Sequence, residues 1–177
     1  MNNTKWALDA THSEVQFKVK HLVISTTSGT FKMFEGELAT NGDDFENGSV
    51  SFTIDANSID TNNEQRDGHL KSADFFDTEN FPKMTFQSTS FTKKEGSDYS
   101  LKGDLTIKGI TKAIELAVEF GGVVVDPWGQ TKAGFEVSGK INRTAYGLVW
   151  NALTEAGGMV VSEDVRLNIN VEFTKQA

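Results

Sequence analysis

"VRLNINVEF", residues 165 to 173, sets Val165, Leu167, Ile169, Val171 and Phe173 against Arg166, Asn168, Asn170 and Glu172. Alternation with period 2 marks a strand with one buried face, because successive side chains leave a strand on opposite sides. Upstream the rhythm recurs in Val15, Phe17 and Val19; in Val50, Phe52, Ile54 and Ala56; in Leu101, Gly103, Leu105 and Ile107; in Ile114, Leu116, Val118 and Phe120; and in Phe135, Val137, Gly139 and Ile141. Weaker strands fit around Trp6 and Leu8, from Phe31 to Leu38, and from Met84 to Phe91. Between these runs stand "TNGDDFENG" at 40–48, "KEGSD" at 94–98, "KGITK" at 108–112 and "VDPWGQT" at 125–131, whose Gly, Asn, Asp and Pro content reads as turns at hairpin spacing. The pattern predicts an all-β protein of about eight antiparallel strands, closing as an up-and-down barrel or a sandwich.

The chain breaks the rhythm once. "EQRDGHLKSADFFDTENFP", residues 64 to 82, gathers Arg66, Asp67, His69, Lys71, Asp74, Asp77 and Glu79. Thr61 with Glu64, and Asn62 with Gln65, have the spacing of reciprocal capping pairs, so a helix is expected to begin near residues 62–64. Leu70, Ala73 and Phe75 or Phe76 give it an apolar side, and Pro82 bounds it, since the residue before a proline avoids helical angles. The polar cluster invites an acid–base or metal reading. On a helix, however, Asp67 and His69 face apart, while Asp67 and Lys71, four residues apart, make an ordinary surface pair.

Composition narrows the chemistry further. The 177 residues suit one domain, 1–177, large enough for a core without staples. Seventeen Lys and Arg stand against twenty-five Asp and Glu, a net charge of −8 with no basic stripe, which argues against nucleic acid as a partner. There is no cysteine, so thiolate catalysis and sulfur-ligated zinc are excluded. The three histidines, His12, His21 and His69, lack metal-ligand spacing, and no nucleophile elbow or phosphate loop is present. No catalytic residue and no metal ligand is assigned. The start of the chain shows no export pattern, which gives a cytoplasmic expectation, and no run of about 20 apolar residues is available for stable membrane insertion.

Thirteen phenylalanines supply much of the inward face, yet Gly36, Gly103 and Gly139 also fall at inward positions. Glycine inside a strand marks a bulge, a sharp barrel bend, or a place that something else approaches closely.

Four blocks resemble one known family: "WALDATHSEVQFKVKHLVISTTSGTF" at 6–31, "ANSIDTNNEQRDGHLKSADFFDTENFPKMTF" at 56–86, "LTIKGITK" at 105–112 and "DPWGQTKAGFEVSGKINRTAYGL" at 126–148. In this order and over nearly the whole chain they are similar to the YceI-like, polyisoprenoid-binding proteins. The resemblance implies an eight-stranded antiparallel lipocalin-like barrel with one or two short helices. Its channel would take an isoprenoid-tailed lipid, such as a quinone or its precursor, for carriage, storage or sequestration. A bound lipid then stands in place of a cofactor, a homodimer is a candidate assembly, and Arg66, Asp67 and His69 tie the helix to the barrel. One departure is Arg143-Thr-Ala-Tyr146-Gly147, which lacks the acidic residue that the family places after the arginine. The candidate ligand-binding residues are Phe17, Val19, His21 and Phe31 from the first block, Phe52 and Ile54, and Phe75, Phe76 and Phe86 from the second block. Leu101, Gly103, Leu105, Phe135, Gly139 and Ile169 complete the set. His21 shares the parity of Val15, Phe17 and Val19 and is the candidate polar group at the mouth. The competing expectation is a barrel filled by its own side chains, acting as a stress-related interaction module.

Overall fold

The computed structural model describes residues 3–151 and 161–177. Its strands are β1 (Thr4–Leu8), β2 (Glu14–His21), β3 (Ser25–Phe31), β4 (Phe34–Asn41), β5 (Asp44–Asp55), β6 (Ile59–Asp60), β7 (Lys83–Lys93), β8 (Asp98–Ile107), β9 (Ile110–Val125), β10 (Thr131–Asn142) and β11 (Val161–Lys175), with one helix, α1 (Glu64–Lys71). Three pairs of segments act as single broken staves. β1 and β2 both pair with β11; β4 pairs with β1, and β3 with β2; β5 pairs with β4, and β6 with β3. Counted this way, eight staves run up and down, and the pairing of Trp6 with Lys175 and of Leu8 with Phe173 closes the ring. Closure removes the open edges that a sandwich would keep.

The breaks are built, not frayed. At the first, Ser13 Oγ donates to the Asp9 carbonyl and accepts from the Glu172 amide, while the Asp9 amide donates to the Glu172 carbonyl, so the interrupted ladder still satisfies its backbone groups. At the third, a short 3-10 turn (Ala56–Ser58) is capped by Asp55, whose side chain accepts from the Asn57 amide.

Several boundaries differ from the sequence reading. The stretch 40–48 is not all turn: β5 begins at Asp44, and Phe45 is driven into the core at 2% exposure. The turn at 108–112 reduces to Lys108 and Gly109, both at positive φ, and β9 starts at once with Ile110 opposite Ile107. The run from Phe31 to Leu38 is broken at Lys32 and Met33: Phe31 ends the unanticipated β3, "STTSGTF", and β4 starts at Phe34. Helix α1 is capped by Asn63, whose side chain accepts from the Arg66 amide, and neither expected reciprocal pair forms the cap. It also ends at Lys71, well short of Pro82. After Ser72 the chain leaves through tight turns, with the Phe76 amide donating to Leu70 and the Asp77 amide to Ser72.

One end of the barrel is plugged by aromatic rings. Phe45 lies 5.3 Å from Trp6, 4.9 Å from Phe120 and 5.3 Å from Phe135 between centroids, and Phe91 stacks on Tyr99 at 4.7 Å. Trp6 is fully buried, and its indole N–H donates to Thr40 Oγ1 at 2.8 Å, so its polar edge costs nothing.

The inward glycines do not border vacant space. A Cβ on Gly103 would collide with the ring of Phe86 and lie 2.6 Å from the Gln87 carbonyl oxygen. On Gly139 it would collide with Leu116, on Gly29 with Phe17, and on Gly36 it would lie 2.8 Å from Phe52. In each case a neighbouring strand's side chain occupies the space where the Cβ would go. Gly103→Ala is therefore expected to overpack the wall and to cost about 1–3 kcal/mol, read as a lower urea midpoint at unchanged m-value. An unchanged midpoint would show that the Phe86 ring swings aside freely.

Candidate functional site

Beyond the aromatic plug the barrel is hollow. A cavity of about 440 Å³ opens between the plug and the α1 end, within the range of roughly 300–1,000 Å³ of small-molecule pockets. Its wall includes Phe17, Val19, His21, Phe31, Phe52, Ile54, Phe75, Phe76, Phe86, Leu101, Leu105, Phe135 and Ile169. Of the sequence candidates, Gly103 and Gly139 alone are not part of it, because Phe86 and Leu116 cover them. Phe17, Phe52, Ile54, Ile114, Val165, Leu167 and Ile169 point inward yet are only partly buried. Their exposed surface is surface of the cavity.

Nearly all the polar wall groups sit towards one end. Lys20, His21 and Thr27 come from the β2–β3 hairpin, Thr61, Arg66 and His69 from α1 and its approach, and Arg143 from the 3-10 turn Arg143–Tyr146. Leu148 and Trp150 complete this mouth. His21 is exposed there, at the last paired position of β2, opposite Ser25 and Val161.

Arg66, Asp67 and His69 of the polar cluster on α1 are engaged in local hydrogen bonds. Arg66 donates through Nε to Thr61 Oγ1 at 2.8 Å and through a terminal nitrogen to the Thr61 carbonyl at 2.7 Å. Asp67 does not pair with Lys71; it accepts from the Thr61 amide and hydroxyl instead. His69 shares a hydrogen bond of 2.9 Å with Asp74 and stands edge-on to Phe75 and Trp150. Each of these three groups thus has a neighbour as partner, and the His69 ring packs against Phe75 and Trp150.

Arg143 was not among the sequence candidates, and it organises the mouth most strongly. It is 4% exposed, and among the described residues no carboxylate lies in hydrogen-bond reach; burial pushes its pKa down, with an opposing effect from Glu163. Its guanidinium donates to four carbonyls, those of Ser162 (2.8 Å), Leu148 (2.6 Å), Trp150 (2.9 Å) and Val161 (3.1 Å), and lies 5.9 Å above the Phe75 ring. Among the described residues its acceptors are all backbone oxygens, which a planar fork of five donors can serve at once. The hydroxyl of the neighbouring Tyr146 is buried without a partner among the described residues, and burial raises its pKa.

A second polar group lies outside the barrel wall. Asp9, His12 and Glu172 bring one donor atom each within 4.8 Å of one another, a spacing suited to a cation. The Lys132 ammonium already stands among them, 2.9 Å from Asp9 and 3.9 Å from Glu172. The hydrogen bond from His12, then those from Thr11 and Lys132, hold the Asp9 carboxyl well below the usual carboxylate range, and the same contact raises the pKa of His12. A depressed carboxylate contributes stability above its unfolded value, about 4, and loses it as pH falls through the folded value; a raised histidine contributes below about 6.5 and loses it as pH rises. Asp9→Asn is thus expected to destabilise most near pH 5–6, with the gap to wild type narrowing as pH falls from about 4 toward 2. Urea titrations across this range check it, and a pH-independent gap contradicts it.

Comparison with known proteins agrees with this architecture. The YceI-like domain matches residues 6–173. A UPF0312 protein of Staphylococcus epidermidis is 44% identical over 97% of this chain and 98% of its own length, and one of Staphylococcus aureus is 40% identical over the same shares. Among solved structures, a Campylobacter jejuni YceI protein is 33% identical with a TM-score of 0.76, over 89% of this chain and 90% of its own. A polyisoprenoid binding domain from Saccharophagus degradans shares the fold, with a TM-score of 0.73 at 18% identity over 97% and 98% of the two chains. With the domain match running from Trp6 in the plug to Phe173 at the ring closure, it takes in all of the barrel but the outer ends of its first and last strands, and the chain belongs to the YceI-like family.

Proposed function

We propose that the protein binds a long isoprenoid-tailed lipid, such as a quinone or its precursor, with the tail in the barrel and the polar head at the mouth, for carriage, storage or sequestration. The observation that carries this reading is the distribution of polarity in one cavity: apolar walls down to the aromatic plug, and Lys20, His21, Thr61, Arg66, His69 and Arg143 gathered at the open end. The polyisoprenoid binding named for the Saccharophagus neighbour supports it. Each buried methylene contributes about 0.8 kcal/mol, so one five-carbon unit contributes roughly 3–4 kcal/mol before the cost of ordering the chain. The open volume weighs against the filled-barrel alternative, and the mouth groups, engaged with one another and with backbone, favour binding over catalysis. Native mass spectrometry of freshly purified protein tests the proposal. A co-purifying apolar lipid, or stoichiometric uptake of an added isoprenoid quinone, is expected; bare protein that takes up none refutes it.

A further inference from the structure

The hairpin between β2 and β3 ends in Leu22-Val23-Ile24, which are 39%, 77% and 84% exposed. Leu22 and Val23 adopt positive φ, 53° and 66°, a region costly for any side chain and most of all for a β-branched one. Folding thus holds a strained, apolar tip out in water, although a hairpin turn is ordinarily polar. The tip stands beside the cavity mouth: His21 and Val161, which line the cavity, form the last cross-strand pair beneath it. Val149, 65% exposed between the mouth residues Leu148 and Trp150, adds apolar surface at the same end.

The outer face below the tip carries a second anomaly. Lys140, Arg166 and Lys18 are direct cross-strand neighbours on β10, β11 and β2, all exposed, and Lys20 lies two positions further along β2 towards the tip. Like charges placed directly opposite destabilise a sheet, and this row occurs in a chain of net charge −8. Lys140 is 3.6 Å from Asp164; among the described residues no carboxylate forms an ion pair with Lys18, Lys20 or Arg166. Glu163 is also exposed on β11, and it forms no ion pair with the row among the described residues.

We infer that this end of the barrel docks on a membrane surface bearing anionic headgroups, with Leu22, Val23 and Ile24 entering the headgroup layer and Lys18, Lys20 and Arg166 facing the lipid phosphates. An apolar wedge flanked by cations is the composition of a reversible interfacial anchor, and the flanking charge complements an anionic leaflet. Docking there presents the open mouth to the bilayer, where an isoprenoid lipid resides. That purpose rests on the proposed function; the docking itself does not.

The test is co-sedimentation with vesicles of phosphatidylcholine alone or containing about a third phosphatidylglycerol, free of isoprenoid. Wild type is expected to bind the anionic vesicles, and to bind less as salt is raised. The double change Val23→Asn with Ile24→Ser is expected to weaken binding about tenfold or more, yet to leave the melting temperature equal or higher, since asparagine accepts positive φ. Lys18→Gln with Arg166→Gln is expected to remove most of the preference for phosphatidylglycerol, about fivefold per cation. Wild type that binds neither vesicle, or tip variants that bind as wild type does, overturns the inference. Uptake of detergent-dispersed isoprenoid quinone, measured on the same proteins, separates the two claims. Uptake without vesicle binding defeats docking alone, and vesicle binding without uptake defeats only the lipid-carrier reading.

Discussion

Ile169→Trp is expected to lower the affinity for a long isoprenoid about 100-fold or more, while moving the unfolding midpoint by only a few degrees. Ile169 points into the cavity from β11, between Val137 on β10 and Val15 on β2, and is itself only partly buried because its inner surface borders the void. The larger ring enters that void. Excluding one five-carbon unit forfeits roughly 3–4 kcal/mol of hydrocarbon burial, more than two decades in affinity. The apo-protein loses little, because no packed side chain has to move. The contrast with Gly103→Ala is diagnostic: there a single methyl meets the Phe86 ring and a carbonyl oxygen, so the smaller change carries the larger stability cost. Titrating a fluorescent isoprenoid into both variants, with parallel urea melts, reads the two effects. If Ile169→Trp unfolds the protein readily and leaves uptake intact, the cavity is not where the lipid goes.

Replacing Arg143 with methionine is expected to cost about 3–5 kcal/mol, a fall of roughly 10 °C or more in melting temperature for a chain of this size. Methionine keeps the length and apolar body of the side chain but leaves the carbonyls of Leu148, Trp150, Val161 and Ser162 without their shared donor. Those carbonyls belong to both flanks of the mouth, the segment after the 3-10 turn and the first residues of β11, so losing the guanidinium releases one from the other. Arg143→Lys is expected to recover only part of the loss, because an ammonium offers three donors from a single point and cannot span four acceptors. Bound lipid is expected to leave both variants faster than it leaves wild type. Thermal melts and lipid-release kinetics check these outcomes, and a melting temperature within a degree or two of wild type for Arg143→Met would show that the mouth is held by other contacts.

How much of this was readable in advance differs by element. In β11 and β10 the alternation of Val165 to Phe173 and of Phe135 to Ile141 identified strand and inner face together, because a buried face demands apolar residues at every second position. β3 was silent for a reason the structure supplies: its inward positions hold Thr27 and Gly29, and the apolar cover at Gly29 comes from Phe17 on the neighbouring strand. Glycine placement was visible but ambiguous, since a missing side chain looks the same in sequence whether a ligand or an adjacent ring fills the gap. The helix start lay where capping chemistry put it, within a residue, whereas its end depended on turns from Ser72 to Phe81 that no local signal marked.

The sequence by itself determined that the chain is a β protein, which faces of its strands are apolar, and which family its blocks resemble, because period, polarity and turn chemistry are local properties written residue by residue. Only the tertiary structure decided that the staves close on one another, that the space inside is partly empty, and that the polar wall groups converge at one end. Those facts depend on distances between residues far apart in the chain. Arg143 shows the reason most plainly: nothing in its own neighbourhood announces a partner, and its acceptors on β11 come within reach only when the last stave folds back beside it.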